Sequence, residues 1–155
     1  MSLWRLYYHL VWATKNRESS IDLDRENELY AYIIGKADFL KCIVHAVNGT
    51  DNHIHLVVSI PPTMSIAEFV KNIKGSSAHH INHDLLAQTN KFTWQPGYGV
   101  FSLGGQQLER AVAYVQNQKI HHAQGSVIKL LEEFTNEDDP PNSYIRLGIN
   151  RSPMS

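Results

Sequence analysis

Disulfide scaffolding, a thiolate metal centre and a membrane span are all missing from this chain. Cys42 is its only cysteine, which excludes a disulfide framework and a cysteine-built zinc site. Its apolar neighbours mark it as a small buried hydrophobe, compatible with a reducing cytoplasm. No run approaches the roughly 20 apolar residues that cross a bilayer, and Met1-Ser2-Leu3-Trp4-Arg5 has neither the basic nor the apolar stretch of a secretory signal. The expectation is a cytoplasmic protein with no membrane partner. Internal repeats, heptads and low-complexity tracts are also missing, so solenoid and coiled-coil architectures drop out. What remains is 155 residues, enough for one domain that buries its own core without a staple.

A surplus of positive charge is lacking too. The net charge is −1, whereas proteins that hold nucleic acid by charge alone are usually basic. The charge is segregated, however. Residues 1–17 carry three cations and no anions, residues 18–38 six anions against two cations, and residues 39–122 six cations against four anions. Acid therefore gathers in the first helical segment and in the tail around Glu132-Glu133 and Glu137-Asp138-Asp139. If that helix faces away from the chemistry, Lys71, Lys74, Lys91, Arg110 and Lys119 leave a mildly positive field elsewhere. Binding to generic DNA would then be weak and salt-sensitive, with affinity resting on shape and stacking.

Periodicity gives the elements. Leu3 to Thr14 alternates as a strand with two apolar faces. Asp22 to Leu40 carries Leu29, Ile33 and Ala37 at helical spacing, with acids in its first turn. Cys42 to Asn48 reads as a second strand, Gly49-Thr50-Asp51-Asn52 as a tight connection served by its polar side chains, and His53 to Ile60 as a third strand. Ser65 and Glu68 form a capping box ahead of Ile66, Phe69, Val70 and Ile73, in a helix that runs toward Leu86 unless Gly75 breaks it. Gly99 to Leu103 is a fourth strand, and Gln107 to about His121 a last amphipathic helix. This order predicts an α+β domain of the ferredoxin-like, split βαβ type. Four mainly antiparallel strands would carry helices on one face, with a further C-terminal helix after the last strand. The domain is expected over 1–135 and an irregular tail over 136–155.

The chemistry-bearing residues sit on two of these elements. Strand alternation sends His53 and His55 to the same face, about 6.6 Å apart at their backbones, and two imidazoles so spaced can converge on one divalent ion. Helical spacing puts Gln118 on the face of Tyr114, where its amide oxygen is a hard, neutral ligand. A metal site beside a tyrosine nucleophile suits a phosphodiester substrate. His79, His80, His83, His121 and His122 look like a zinc cluster but have no cysteine or acidic partner at matching spacing, and read as solvated or DNA-facing. Lys119 points to another sector of the last helix than Gln118.

Five segments in order carry a family resemblance: Tyr8-His9-Leu10-Val11-Trp12-Ala13-Thr14-Lys15-Asn16-Arg17, Asn52-His53-Ile54-His55-Leu56-Val57-Val58, Lys74-Gly75-Ser76-Ser77, Trp94-Gln95-Pro96-Gly97-Tyr98, and Tyr114-Val115-Gln116-Asn117-Gln118-Lys119-Ile120-His121-His122. Together they resemble the HUH single-tyrosine transposases of small bacterial insertion sequences, including the REP-associated tyrosine transposases. The double histidine after the tyrosine helix leans toward the REP-associated branch.

The resemblance implies that His53, His55 and Gln118 hold Mg²⁺ or Mn²⁺ and that Tyr114 is the nucleophile. It also implies strand transfer on single-stranded or hairpin DNA through a 5′-phosphotyrosine link, with no nucleotide cofactor. Candidate DNA contacts are Lys15, Arg17, Lys71, Lys74, Trp94 and Tyr98, with Phe101 as a further stacking surface. A homodimer is expected from the short chain and the apolar edges of the first strand. Two readings from other classes compete. A hydrolytic metal-dependent phosphodiesterase would tolerate Tyr114→Phe, and a domesticated DNA-binding module would bind hairpins without its histidines or tyrosine.

Overall fold

Alternation along one seven-residue strand decides the layout of the molecule. In the computed structural model, which describes residues 2–83, 91–120 and 140–141, every residue of β3 (His53–Ser59) is buried. It can be so only if both faces of the sheet are covered. The sheet has the order β2-β3-β1-β4, with β1 spanning Tyr7–Ala13, β2 Ile43–Gly49 and β4 Gly99–Leu103, and all its pairings are antiparallel. β3 is thus an inner strand, as the predicted fold requires.

Ile54, Leu56 and Val58 project to one face, together with Leu10 and Trp12 of β1. There they meet Leu29, Ile33 and Ala37 of α1 (Leu23–Phe39) and Phe69, Val70, Ile73 and Ile81 of α2 (Ile66–His83). Each large apolar side chain so buried contributes about 1.5–3 kcal/mol relative to exposure. The alternate residues of β3 face the other way, where Val57 and Ala46 pack against Ala111, Tyr114 and Val115 of α3 (Gly105–Gln116). Two helices therefore close the main core on one face, and among the described residues the tyrosine helix is the element that covers the other.

Local chemistry accounts for the boundaries. The Asp22 carboxylate accepts from Arg25 N at 2.8 Å and caps α1, while Ser65 Oγ accepts from Glu68 N at 3.0 Å at the start of α2. Gly75 does not break α2. It costs about 1 kcal/mol against alanine, which burial of Ile73, Ser77 and Ile81 around it outweighs. The first strand starts later than its alternation predicts. Its ladder with β4 ends at Tyr7 opposite Leu103, and Leu3 stands exposed. β1 is also internal, lying between β3 and β4, so the edges of the sheet are β2 and β4 and not the first strand. No helix among the described residues is long and apolar enough to cross a membrane. The expected tail over 136–155 lies outside the described residues except for the exposed Pro140 and Pro141.

Candidate active site

The turn from β2 to β3 delivers the first histidine. A Cβ on Gly49 would sit 2.1 Å from His53 O, so only glycine lets the chain double back this tightly. Thr50 N donates to His53 O at 3.0 Å and closes the turn. The same turn orients the His53 ring. His53 Nδ1 lies 2.8 Å from Thr50 Oγ1 and 2.9 Å from Asn52 Oδ1, and the Thr50 hydroxyl donates to that same Asn52 oxygen at 3.2 Å. Asn52 Nδ2 points to Arg17 O at 3.5 Å, an orientation that turns the amide oxygen toward the ring. An amide oxygen only accepts, so Nδ1 of His53 carries the proton and Nε2 keeps the lone pair. Asp51 and Asn52 serve the turn as expected, and Asn52 also sets a ring that the turn reading did not connect to it.

Two residues on, His55 is fully buried. Its ring centroid lies 5.1 Å from that of His53, and the edge-on Tyr114 ring lies 6.2 Å away at 81°. His55 Nδ1 is joined to His9 Nε2 by a hydrogen bond of 2.8 Å, with the two rings stacked at 5.0 Å. His9 was absent from the predicted site. Its alternation within Tyr7–Ala13 puts it on a face, but only the β1–β3 register, with Val11 opposite His55, brings that face to the histidine pair.

The last helix differs from its periodicity. Regular helix ends at Gln116, and Asn117 takes φ −101°, ψ 20° before a further helical turn at Gln118–Ile120. The predicted end at His121 lies outside the described residues. Tyr114 and Gln118 therefore do not share one uninterrupted helix, yet both are buried. The residues on either side of Gln118 are tied to Asn48, the ladder partner of His55. Asn48 Nδ2 donates to Gln116 O at 3.0 Å, and Asn48 Oδ1 accepts from Lys119 Nζ at 2.7 Å. Gln118 is thus bracketed by two contacts to a residue opposite His55. Lys119 Nζ also pairs with the Glu26 carboxylate and lies 5.9 Å from the Tyr30 ring centroid. Burial and the neighbouring Glu26 push the Tyr30 phenol above its ordinary range. Lys119 is a fastening, turned away from Gln118 as its helical sector suggested.

The donor set suits a hard divalent ion. Both histidines are engaged at Nδ1, His53 by the turn and His55 by His9. A buried amide such as that of Gln118 would complement two imidazoles without adding charge, leaving positions for phosphate oxygens and water. Among the described residues no group of three or more His, Cys, Asp or Glu is arranged to hold a metal.

The candidate DNA contacts divide by position. Lys15 and Arg17 are exposed on a short 3₁₀ turn at the His53 end of the sheet, with Asn16 and Arg17 in the left-handed region at φ 55° and 52°. Asn16 N donates to Gln95 Oε1 at 2.8 Å, and Lys15 N to Thr93 O at 2.9 Å. Trp94 bridges to Thr14, is buried edge-on to Trp12 and Phe92, and donates from Nε1 to Ser77 Oγ at 3.0 Å. It has no open face for a base. Lys74 Nζ donates to Gln95 O at 2.7 Å and Gly97 O at 2.9 Å, and burial lowers its pKa to about 8. Trp94 and Lys74 thus build the support under the Lys15–Arg17 turn. Tyr98 packs partly buried against the main core, and Lys71 is exposed on α2, on the sheet face away from the histidines. Phe101, half-buried, sits on the histidine face, its ring centroid 6.0 Å from that of His9. His80 stacks on Tyr32 and pairs with Glu28 at 3.2 Å, and His79 stacks on His83. His121 and His122 lie outside the described residues.

The chain is similar to known proteins in sequence and in fold. The family model described as "Transposase IS200 like" matches residues 2–118, a span that runs from before β1 to Gln118. The ISDra2 transposase TnpA of Deinococcus radiodurans is 26% identical over 132 residues, 75% of this chain and 86% of that protein. The transposase for insertion sequence element IS200 of Salmonella typhimurium is 24% identical over 105 residues, 65% of this chain and 69% of that one. Among solved structures, a D. radiodurans protein provisionally described as a transposase aligns with a TM-score of 0.60 at 26% identity, covering 76% of this chain and 93% of its own. A REP-associated tyrosine transposase bound to a REP hairpin also gives a TM-score of 0.60, at 17% identity over 79% of this chain and 74% of its own, a likeness of fold.

Proposed function

The chain belongs to the IS200-like transposase family, and on that premise we propose that it cuts and rejoins single-stranded or hairpin DNA through a covalent bond between Tyr114 and a 5′ phosphate. The observation that supports this most is the tyrosine ring set edge-on to His55, 6.2 Å between centroids, on the one sheet face where two histidines converge.

Tyr114 Oη, once its proton is lost, attacks the phosphorus of the scissile linkage. The bond to the 3′ oxygen breaks, and that oxygen leaves as a free 3′ hydroxyl. His53 and His55, through Nε2, and Gln118, through its amide, would hold Mg²⁺ or Mn²⁺. Bound there, the cation would polarise a phosphate oxygen and offset the charge that builds on the phosphoryl group. The phosphotyrosine retains the energy of the phosphodiester it replaces. A 3′ hydroxyl from another strand reverses the step, so no nucleotide cofactor enters. A phenol with an ordinary pKa near 10 is a weak nucleophile, and a cation held by the histidines would favour the phenolate.

Lys15 and Arg17, exposed at the His53 end, are the cations best disposed to meet backbone phosphates, and Phe101 is the aromatic ring on the histidine face that a base could reach. We also infer a homodimer in solution, paired through a sheet edge, β2 or β4; a monomeric mass by light scattering would remove it. The decisive experiment incubates the protein and Tyr114→Phe with labelled hairpin oligonucleotides and Mn²⁺, then runs denaturing gels. A metal-dependent protein–DNA adduct that disappears in the variant is the expected result. Cleavage without an adduct, persisting in Tyr114→Phe, would indicate a hydrolytic phosphodiesterase, and binding without cleavage would indicate a DNA-binding module.

A further inference from the structure

We propose that His9 is a positioning residue that holds His55 in the tautomer able to bind the divalent cation, an inference that rests on the metal-site reading above. His9 is fully buried in the middle of β1, on the sheet face that carries His53 and His55. Its Nε2 is 2.8 Å from His55 Nδ1, and the two rings stack with centroids 5.0 Å apart at 26°. One proton joins two neutral imidazoles at such a distance. If His55 Nδ1–H donates to His9 Nε2, then His55 Nε2 keeps its lone pair and can ligate. If His9 Nε2–H donates instead, His55 must carry its proton on Nε2 and offers no lone pair to a cation.

His53 faces no such choice. Its Nδ1 meets Asn52 Oδ1 at 2.9 Å, an atom that can only accept, so its tautomer is fixed by the turn. His55 depends on a neighbour that can play either part, and coordination requires that His9 accept. The contact that ties His9 to the candidate ligands is the hydrogen bond to His55 Nδ1. Groups that orient a ligating imidazole in this way typically change metal affinity by about 10–100-fold when removed.

A buried histidine that merely fills space would affect stability and leave metal affinity alone, so the two roles separate in one set of measurements. Mn²⁺ binding is followed by EPR titration of the full chain for the wild type, His9→Phe and His9→Gln, beside thermal melts and metal-free hairpin binding. Phenylalanine keeps the ring and its stacking without an acceptor, and glutamine restores an acceptor oxygen near the position of Nε2. The expected result is a loss of Mn²⁺ affinity of about 10–100-fold in His9→Phe, near-wild-type affinity in His9→Gln, and hairpin binding unchanged in both. Equal Mn²⁺ affinity in His9→Phe and wild type overturns the role of His9 while leaving the metal site intact. Failure of the wild type to bind Mn²⁺ overturns the metal-site reading, and this inference with it. Should His9→Phe not fold, ¹⁵N spectra of the wild-type His55 ring with saturating Mg²⁺ decide the matter: a protonated Nδ1 is expected, and an unprotonated Nδ1 refutes the proposal.

Discussion

At the scale of single residues, the sequence discloses chemistry more readily than employment. His53 and His55 were legible as a pair because strand alternation is a strict period of two. Lys74 and Trp94 were legible as a cation and an aromatic in a family motif, but each finds its partner across the contact between α2 and the segment before β4, some twenty residues away, which no local pattern specifies. Both turn out to be committed to internal contacts. Lys74 can be tested through its titration. Burial lowers its pKa from an ordinary 10.5 to about 8, so between these values the unfolded chain binds more protons at this position than the folded one. Stability contributed by Lys74 must therefore rise with pH across that window, because at lower pH the folded state has to keep a charged ammonium half-buried. Melting temperatures of wild type and Lys74→Met, measured from pH 7.5 to about 10, should show the difference shifting in favour of the wild type as pH rises. A difference that stays flat would mean that the ammonium is as well solvated in the folded protein as outside it.

Among the elements, the strands and their order followed from alternation and turn residues, and the end of the tyrosine helix did not. Helical periodicity assigns Tyr114 and Gln118 to one face, but the chain interrupts the helix at Asn117, and Gln118 is flanked by contacts that join Asn48, Lys119 and Glu26. Those three lie on β2, on the turn after α3 and on α1, and nothing in local pattern couples them. Glu26 is nearly buried and Lys119 about half-exposed, with side-chain exposures of 11% and 49%. Their pair thus falls between surface bridges worth about 0–1 kcal/mol and buried ones whose disruption costs about 3–5 kcal/mol. Lys119→Met should cost roughly 1–2 kcal/mol in urea unfolding, since it strands the carboxylate beside Tyr30. Adding Glu26→Gln should return part of that loss. If the double variant is less stable than Lys119→Met by the full cost of a second independent lesion, the two residues are not coupled and the fastening does not exist.

Over the whole molecule, the two faces of the sheet divide the work. Apolar residues of β1 and β3 point with α1 and α2 into a continuous core, while the alternate residues of the same strands supply His9, His53 and His55 to the face under α3. The rigid side supports the reactive side through shared backbone, which is why a modest domain can hold three histidines at fixed separations. It also bears on whose tyrosine serves whose histidines. Between the last residue of β4, Leu103, and the first of α3, Gly105, stands only Gly104. One residue spans under about 4 Å, too little to carry α3 to another subunit without unravelling the strand or the helix. Tyr114 also packs against Val57 and Ala46 of its own sheet, and the far end of α3 is tied to its own Asn48. Nucleophile and ligands should therefore come from one copy even if the protein is a dimer. Mixing Tyr114→Phe with a His53→Ala, His55→Ala double variant, each inactive alone, should give no covalent adduct on hairpin DNA after prolonged co-incubation or co-expression. Recovery toward a quarter of wild-type activity, the share that random subunit exchange would leave with one complete site formed across copies, would show that α3 swaps between subunits and that the short Gly104 link opens to let it.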